Sequence, residues 1–87
     1  MDGQSLLQFP CDFPIKIMGA GGPEFPRLVL ELVRRHSPDL DEARVKTRPS
    51  RTGRYQSVTV VVLARDRAQL DALYQDLSHH PQIKLAL

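Results

Sequence analysis

Few residues of this 87-residue chain could do chemistry, and their spacing decides what that chemistry is. The densest group is basic. Arg44, Lys46, Arg48, Arg51 and Arg54 occupy the segment 44–54 with no acidic residue among them. Arg44, Lys46 and Arg48 are two apart, which on a strand projects all three from one face. Such a row is a platform for an anionic partner: a nucleic acid, a phosphorylated metabolite or an acidic protein patch. The plainer alternative is a solvated edge strand made repulsive against edge-to-edge pairing. The net charge of +2 conceals this segment. Its five cations leave seven basic against ten acidic side chains elsewhere, a net −3.

The remaining candidates form no catalytic set. Cys11 is the single cysteine and has neither a CxxC context nor a neighbouring base. His79 and His80 are adjacent, so on a helix they diverge by about 100° and chelate poorly. They and His36 suit helix C-termini, where positive charge complements the dipole. Asp39, Asp41 and Glu42 lack calcium-loop spacing. Gly19, Gly21 and Gly22 have neither dinucleotide nor P-loop spacing, and Glu24 would oppose an anion at the following helix start. No nucleophile, base and orienting group come together. The expectation is no enzyme, no catalytic residue, no metal and no cofactor.

These residues must be positioned by a single small domain. A chain of this length buries roughly 60–65% of its unfolded surface, enough for one core. Apolar content of 41% and charged content of 25% are ordinary for a globular protein. Met1–Phe9 shows no secretory signal. The longest apolar run, Val60–Ala64, is far shorter than a membrane span. A cytoplasmic location without membrane contact is expected.

Residues 1–12 read as a loosely ordered lead-in and 13–87 as the domain. Phe13, Ile15 and Ile17 alternate with polar positions, giving a half-buried strand over 13–18 with Pro14 at its beginning. The glycines 19–22 stop it in a flexible loop. Phe25, Leu28, Val29, Leu32 and Val33 form a helical stripe that ends at Ser37-Pro38. Arg44–Pro49 alternates again, and Ser50–Gly53 is a hairpin loop. Tyr55–Ala64 is the strongest strand, rich in valine and threonine. Asp66 and Gln69 have capping-box spacing ahead of the stripe Leu70, Leu73, Tyr74 and Leu77. Ile83, Leu85 and Leu87 alternate as a last strand with those three inward.

The order β-α-β-β-α-β gives an α+β class: a four-stranded antiparallel sheet with both helices on one face, the ferredoxin-like sandwich. Alternation then places Lys16, Tyr55, Ser57, Thr59, Val61 and Lys84 with the cations on the helix-free face. Ribonucleoprotein motifs use this face with stacking aromatics. Here only Tyr55 is aromatic, so nucleic-acid binding would rest on charge. Val61 and Leu63 are apolar on this face while Val60 and Val62 point to the helices. Two-sided burial of a central strand points to a covering partner or to self-association, against the plain alternative of scattered surface valines.

The run Phe13-Pro14-Ile15-Lys16-Ile17-Met18-Gly19 resembles the first strand of the YbeD-like family of small bacterial proteins of unknown function. Arg48-Pro49-Ser50, Gly53, Tyr55, Ser57, Val58 and Thr59 resemble its central hairpin. His36 with Pro38 fits the end of its first helix, and Gln69, Leu73, Tyr74 and Leu77 fit its second. The resemblance covers nearly the whole chain. It implies a fold similar to ACT-type regulatory domains and brings no catalytic or ligand residues. The expected role is a non-enzymatic regulatory or interaction module that binds a protein or a small ligand. The alternative is a nucleic-acid-associated protein using the hairpin 44–54.

Overall fold

The computed structural model describes residues 8–87. Its elements are β1 (Cys11–Ala20), α1 (Glu24–Arg34), a 3-10 turn (Glu42–Arg44), β2 (Lys46–Pro49), β3 (Tyr55–Ala64), α2 (Arg67–His79) and β4 (Ile83–Ala86). The strands form one antiparallel sheet in the order β2-β3-β1-β4. This is the α+β, ferredoxin-like arrangement that the alternation predicts.

One face of the sheet is dry. Ile15 and Ile17 of β1 and Val58, Val60 and Val62 of β3 are fully buried. They share one core with Phe25, Val29, Leu32 and Val33 of α1 and Leu73 and Leu77 of α2. All of the buried helix residues belong to the two predicted stripes. Each such side chain contributes roughly 1.5–3 kcal/mol by leaving water.

Several boundaries differ from the sequence reading, each for a physical reason. β1 starts at Cys11, inside the predicted lead-in, because β3 is long enough to pair with it: Cys11 lies opposite Ala64 and Ala20 opposite Tyr55. Residues 1–7 of that lead-in lie outside the described part. Pro14 therefore sits inside β1. Lys16 exchanges both backbone hydrogen bonds with Leu87 of the β4 segment. Two residues away, Pro14 turns its missing donor to the same side, past the residues that pair there, so no ladder bond is lost.

Gly19 does not stop β1. A Cβ there would lie 2.2 Å from the Phe25 ring and 2.6 Å from the Gln82 carbonyl oxygen, so this position admits only hydrogen. The ladder to β4 is irregular at the same point. Met18 faces Leu85 but Gly19 faces Ile83, which leaves Lys84 as an extra residue. The bulge overturns the predicted orientation of β4. Ile83 is buried, but Leu85 and Leu87 turn out to solvent, at 47% and 63% exposure.

The helices are tied to each other by polar groups. Gln69 accepts from the Arg65 amide while its own amide bonds Asp66 Oδ1, fulfilling the capping pattern. Its side chain also donates to the carbonyl of His36, just past α1. His36 Nε2 meets Asp76 Oδ2 of α2 at 2.5 Å. That hydrogen bond holds the Asp76 carboxyl below the ordinary carboxylate range; desolvation opposes it, and the charges of His36, Arg35 and His79 support it. The folded state thus prefers ionised Asp76, so its contribution is present above the usual value of 3.8 and fades as pH falls through the lowered one. Asp76→Asn should remove this dependence. Urea unfolding should show a gap between wild type and variant near neutrality that narrows as pH falls below the ordinary carboxylate range. A gap independent of pH would refute the assignment.

Candidate functional site: the helix-free face of the sheet

The β1–β3 register composes this face row by row. Lys16 lies opposite Thr59, which lies opposite Lys46. The next row runs from Leu85 through Met18 and Ser57 to Arg48. Tyr55 faces Ala20 at one end, and Val61 faces Pro14 and Leu63 faces Asp12 toward the other. Adjacent strands are about 4.8 Å apart, so Lys16 and Lys46 flank Thr59 at about 10 Å, close to one Debye length at moderate salt.

The five cations of the hairpin segment do not stay together. Lys46 and Arg48 project from β2 as read. Arg44 does not share their strand. The Asp41 side chain accepts from the Ala43 amide at 3.0 Å and caps the 3-10 turn Glu42–Arg44, which lifts the chain out of the sheet before Lys46. Arg44 pairs instead with Asp12, an open-face position of β1, at 3.1 Å. Arg51 and Arg54 lie in the β2–β3 turn and are exposed. Lys84 is the bulge residue. The ion pairs among the described residues engage Arg34, His36, Arg44, Arg65 and Arg67, and none engages Lys16, Lys46 or Arg48. His79 and His80 bond nearby backbone, at the Gln75 carbonyl and the Gln82 amide.

The apolar side of the face is equally distinct. Among the described residues the large exposed hydrophobics are Tyr55, Leu63, Leu85 and Leu87, and all four lie here. Met18 and Val61 lie half-buried among them. Alternation found Val61 and Leu63. It missed Leu85 and Leu87, whose only advance signal was a glycine inside the first strand, the residue type that often marks a bulge.

Two shallow depressions cross this surface. One, of about 240 Å³, is lined by Lys16, Met18, Arg48, Ser57 and Tyr55 together with hairpin residues. The other, of about 330 Å³, is lined by Met18, Gly19, Tyr55, Lys84 and Leu85. Met18 and Tyr55 line both, so the two lie side by side as one grooved stretch of the face. A larger hollow of about 550 Å³ lies between α2 and β4, lined by Asp71, Tyr74, Gln75, Ser78 and residues of β4. Burial raises the phenol pKa of Tyr74, leaving it a neutral hydroxyl there. Among the described residues no three His, Cys, Asp or Glu side chains are grouped to hold a metal ion.

The rim of the groove is braced. The glycine loop after β1 is hydrogen-bonded to the neighbouring strand and turn. The Gln56 side chain donates to the carbonyls of Ala20 and Gly22, at 3.0 and 2.5 Å, and the Gly21 amide donates to the Arg54 carbonyl at 2.9 Å. A Cβ on Gly21 would stand 2.1 Å from the Gly53 oxygen. The loop is thereby stitched to the β2–β3 turn, and Tyr55 is held at that seam.

Four antiparallel strands with two helices on one face define a ferredoxin-like α+β domain, and the site it presents is an open sheet surface. Comparison with known proteins places it further. Residues 4–87 match the family described as protein of unknown function DUF493. The chain is 49% identical over 84 residues to a UPF0250 protein of Paraburkholderia phytofirmans, covering 97% of this chain and 94% of that one. It is 45% identical over its full 87 residues to a UPF0250 protein of Nitrosomonas europaea, which it covers completely. A UPF0250 protein of Neisseria gonorrhoeae is 47% identical over 83 residues, 95% of this chain and 91% of that one. The chain belongs to the DUF493 family, the group of small bacterial proteins that its strand and hairpin residues resemble.

Gln56→Leu keeps the bulk and removes both donations. It is expected to cost about 1–3 kcal/mol by leaving two carbonyls unpaired. Hydrogen exchange at the Gly21 amide should accelerate more than at amides in the middle of β3. Unchanged exchange at Gly21 would show that the loop is held by other contacts.

Proposed function

We propose that this protein is a non-catalytic binding module of ACT-like type whose working surface is the helix-free face, and that its partner is anionic with an apolar part. One observation carries this reading: Lys16, on a central strand, stands beside Lys46 and Arg48 with no acid paired to any of them among the described residues. Edge protection accounts for Lys46 and Arg48, because β2 is an edge strand. It does not account for Lys16, which has a strand on either side. Like charges held this close oppose folding slightly, and an anionic partner relieves them.

The same charges argue against a second copy as the occupant, since a two-fold axis through this patch would set cations against cations. Strand addition is disfavoured at both edges. β2 carries Lys46, Arg48 and Pro49, and β4 has four residues with Lys84 at a bulge. Specific RNA recognition lacks its usual platform, as Tyr55 is the sole aromatic on the face. No helix among the described residues is long and apolar enough to cross a membrane.

An NMR titration tests the reading with two probes, a short glutamate-rich peptide containing one leucine and a uridine oligonucleotide. The peptide is expected to shift Lys16, Lys46, Arg48, Ser57 and Thr59, and to bind less tightly as salt rises. Lys16→Gln should weaken it roughly twofold to fivefold, the worth of one exposed ion pair, while changing stability by less than about 0.5 kcal/mol. Tighter binding of the oligonucleotide would favour the nucleic-acid reading. Shifts confined to α1, α2 or the hairpin turn would refute the assignment of this face.

A further inference from the structure

We infer that the groove on this face is a site for a small aromatic anion: a single ring carrying one phosphate or carboxylate. The inference rests on the preceding reading of the face and names the ligand chemistry within it. The basic end of the groove presents Arg48 directly opposite Ser57, with Lys16 diagonal to Ser57 in the neighbouring row. A guanidinium, an ammonium and a hydroxyl around one depression are the donors that an oxyanion takes up, and no carboxylate lines that depression to compete.

The other half of the groove is apolar. Met18, Tyr55 and Leu85 supply its apolar surface, with Gly19 contributing only backbone and Lys84 a cation at its border. Tyr55 is 44% exposed and its cross-strand partner is Ala20, whose methyl group leaves space beside the ring. A thioether and an aromatic ring with free surface favour another aromatic ring over a branched aliphatic group. The two halves border each other at Met18 and Tyr55, so a single ligand with a ring and an anion in close proximity can engage both. The two depressions, about 240 and 330 Å³, are each small, which suits one compact group in each rather than a dinucleotide. Gln56 and Gly21 brace the rim without occupying the groove.

The full chain is titrated with phenyl phosphate, phenylacetate, inorganic phosphate and benzyl alcohol, following the Met18 methyl, the Tyr55 ring and the Ser57 and Arg48 amides by NMR. Phenyl phosphate is expected to shift all four and to bind at least about tenfold tighter than inorganic phosphate or benzyl alcohol, because neither of these fills both halves. Phenylacetate should shift the same groups, and its affinity relative to phenyl phosphate tells which anion the basic end prefers. Arg48→Met should cost phenyl phosphate roughly tenfold in affinity, as loss of a charge-assisted hydrogen bond does. Leu85→Ser should weaken both ring-bearing anions and leave inorganic phosphate unchanged. Equal affinity for phenyl phosphate and inorganic phosphate, or shifts that map to Arg51 and Arg54, would overturn the inference. So would an absence of shifts; if the glutamate-rich peptide still binds the face, only the ligand class falls, and if it does not, the reading of the face falls with it.

Discussion

β1 and β3 pair along their whole length, and each of the ten residues of one has a partner on the other. Everything functional about this chain depends on that ladder. A slip of one residue would send Ile15 and Ile17 to solvent and Lys16 into the core. The fully buried isoleucines and valines make such a slip expensive, so the hydrophobic face fixes the polar one. Thr59 lies between Lys16 and Lys46, and Ser57 between Met18 and Arg48, because the opposite side chains of the same strands must be dry. The open face is thus a by-product of core packing in its register, while its residue types are free to serve another end.

That freedom shows in what the face carries. A surface that only had to stay soluble would mix charges of both signs and scatter its apolar groups. Here, among the described residues, the exposed large hydrophobics gather on the helix-free side, next to cations that have no acid partner there. The one acid on the adjoining part of β1, Asp12, is taken by Arg44. The edges, by contrast, are blunted in the ordinary ways, with lysine, proline and a bulge. Closed edges beside an open, mixed apolar and cationic face are the arrangement on which the proposed binding role rests.

Much of this was legible from alternation alone. Period-two patterning identified the helix-facing residues of β1 and β3, and with them the opposite placement of Lys16, Ser57, Thr59 and Val61. Helical spacing identified both stripes, and Asp66 with Gln69 marked the start of α2. What the sequence hid was set by contacts between distant segments. Arg44 shares its parity with Lys46 and Arg48, yet the Asp41 cap and the 3-10 turn remove it from the strand. Leu85 and Leu87 alternate with Ile83, yet one extra residue opposite Gly19 inverts them. The bulge coincides with a crowded position that only the folded chain creates, where Phe25 of α1 and the Gln82 carbonyl close on Gly19 and no Cβ fits. Gln56 reads as a polar residue in a strand, and its partners, the carbonyls of Ala20 and Gly22, come from the other end of a helix crossover.

The bulge is where these threads meet. Without it, Leu85 and Leu87 would turn toward the core, and the row that ends on Arg48 would keep Met18 as its one apolar side chain. With it, Leu85 joins Met18 across the β1–β4 pair, and the row that begins with an apolar side chain ends on Arg48. Apolar contact and charge then lie along one line of the sheet, where a ligand that has both is distinguished from one that has either. Gly19 is the residue on which that line depends, because any side chain there would push Phe25 and the start of β4 apart. A constraint of core packing thereby determines the chemical character of the opposite surface.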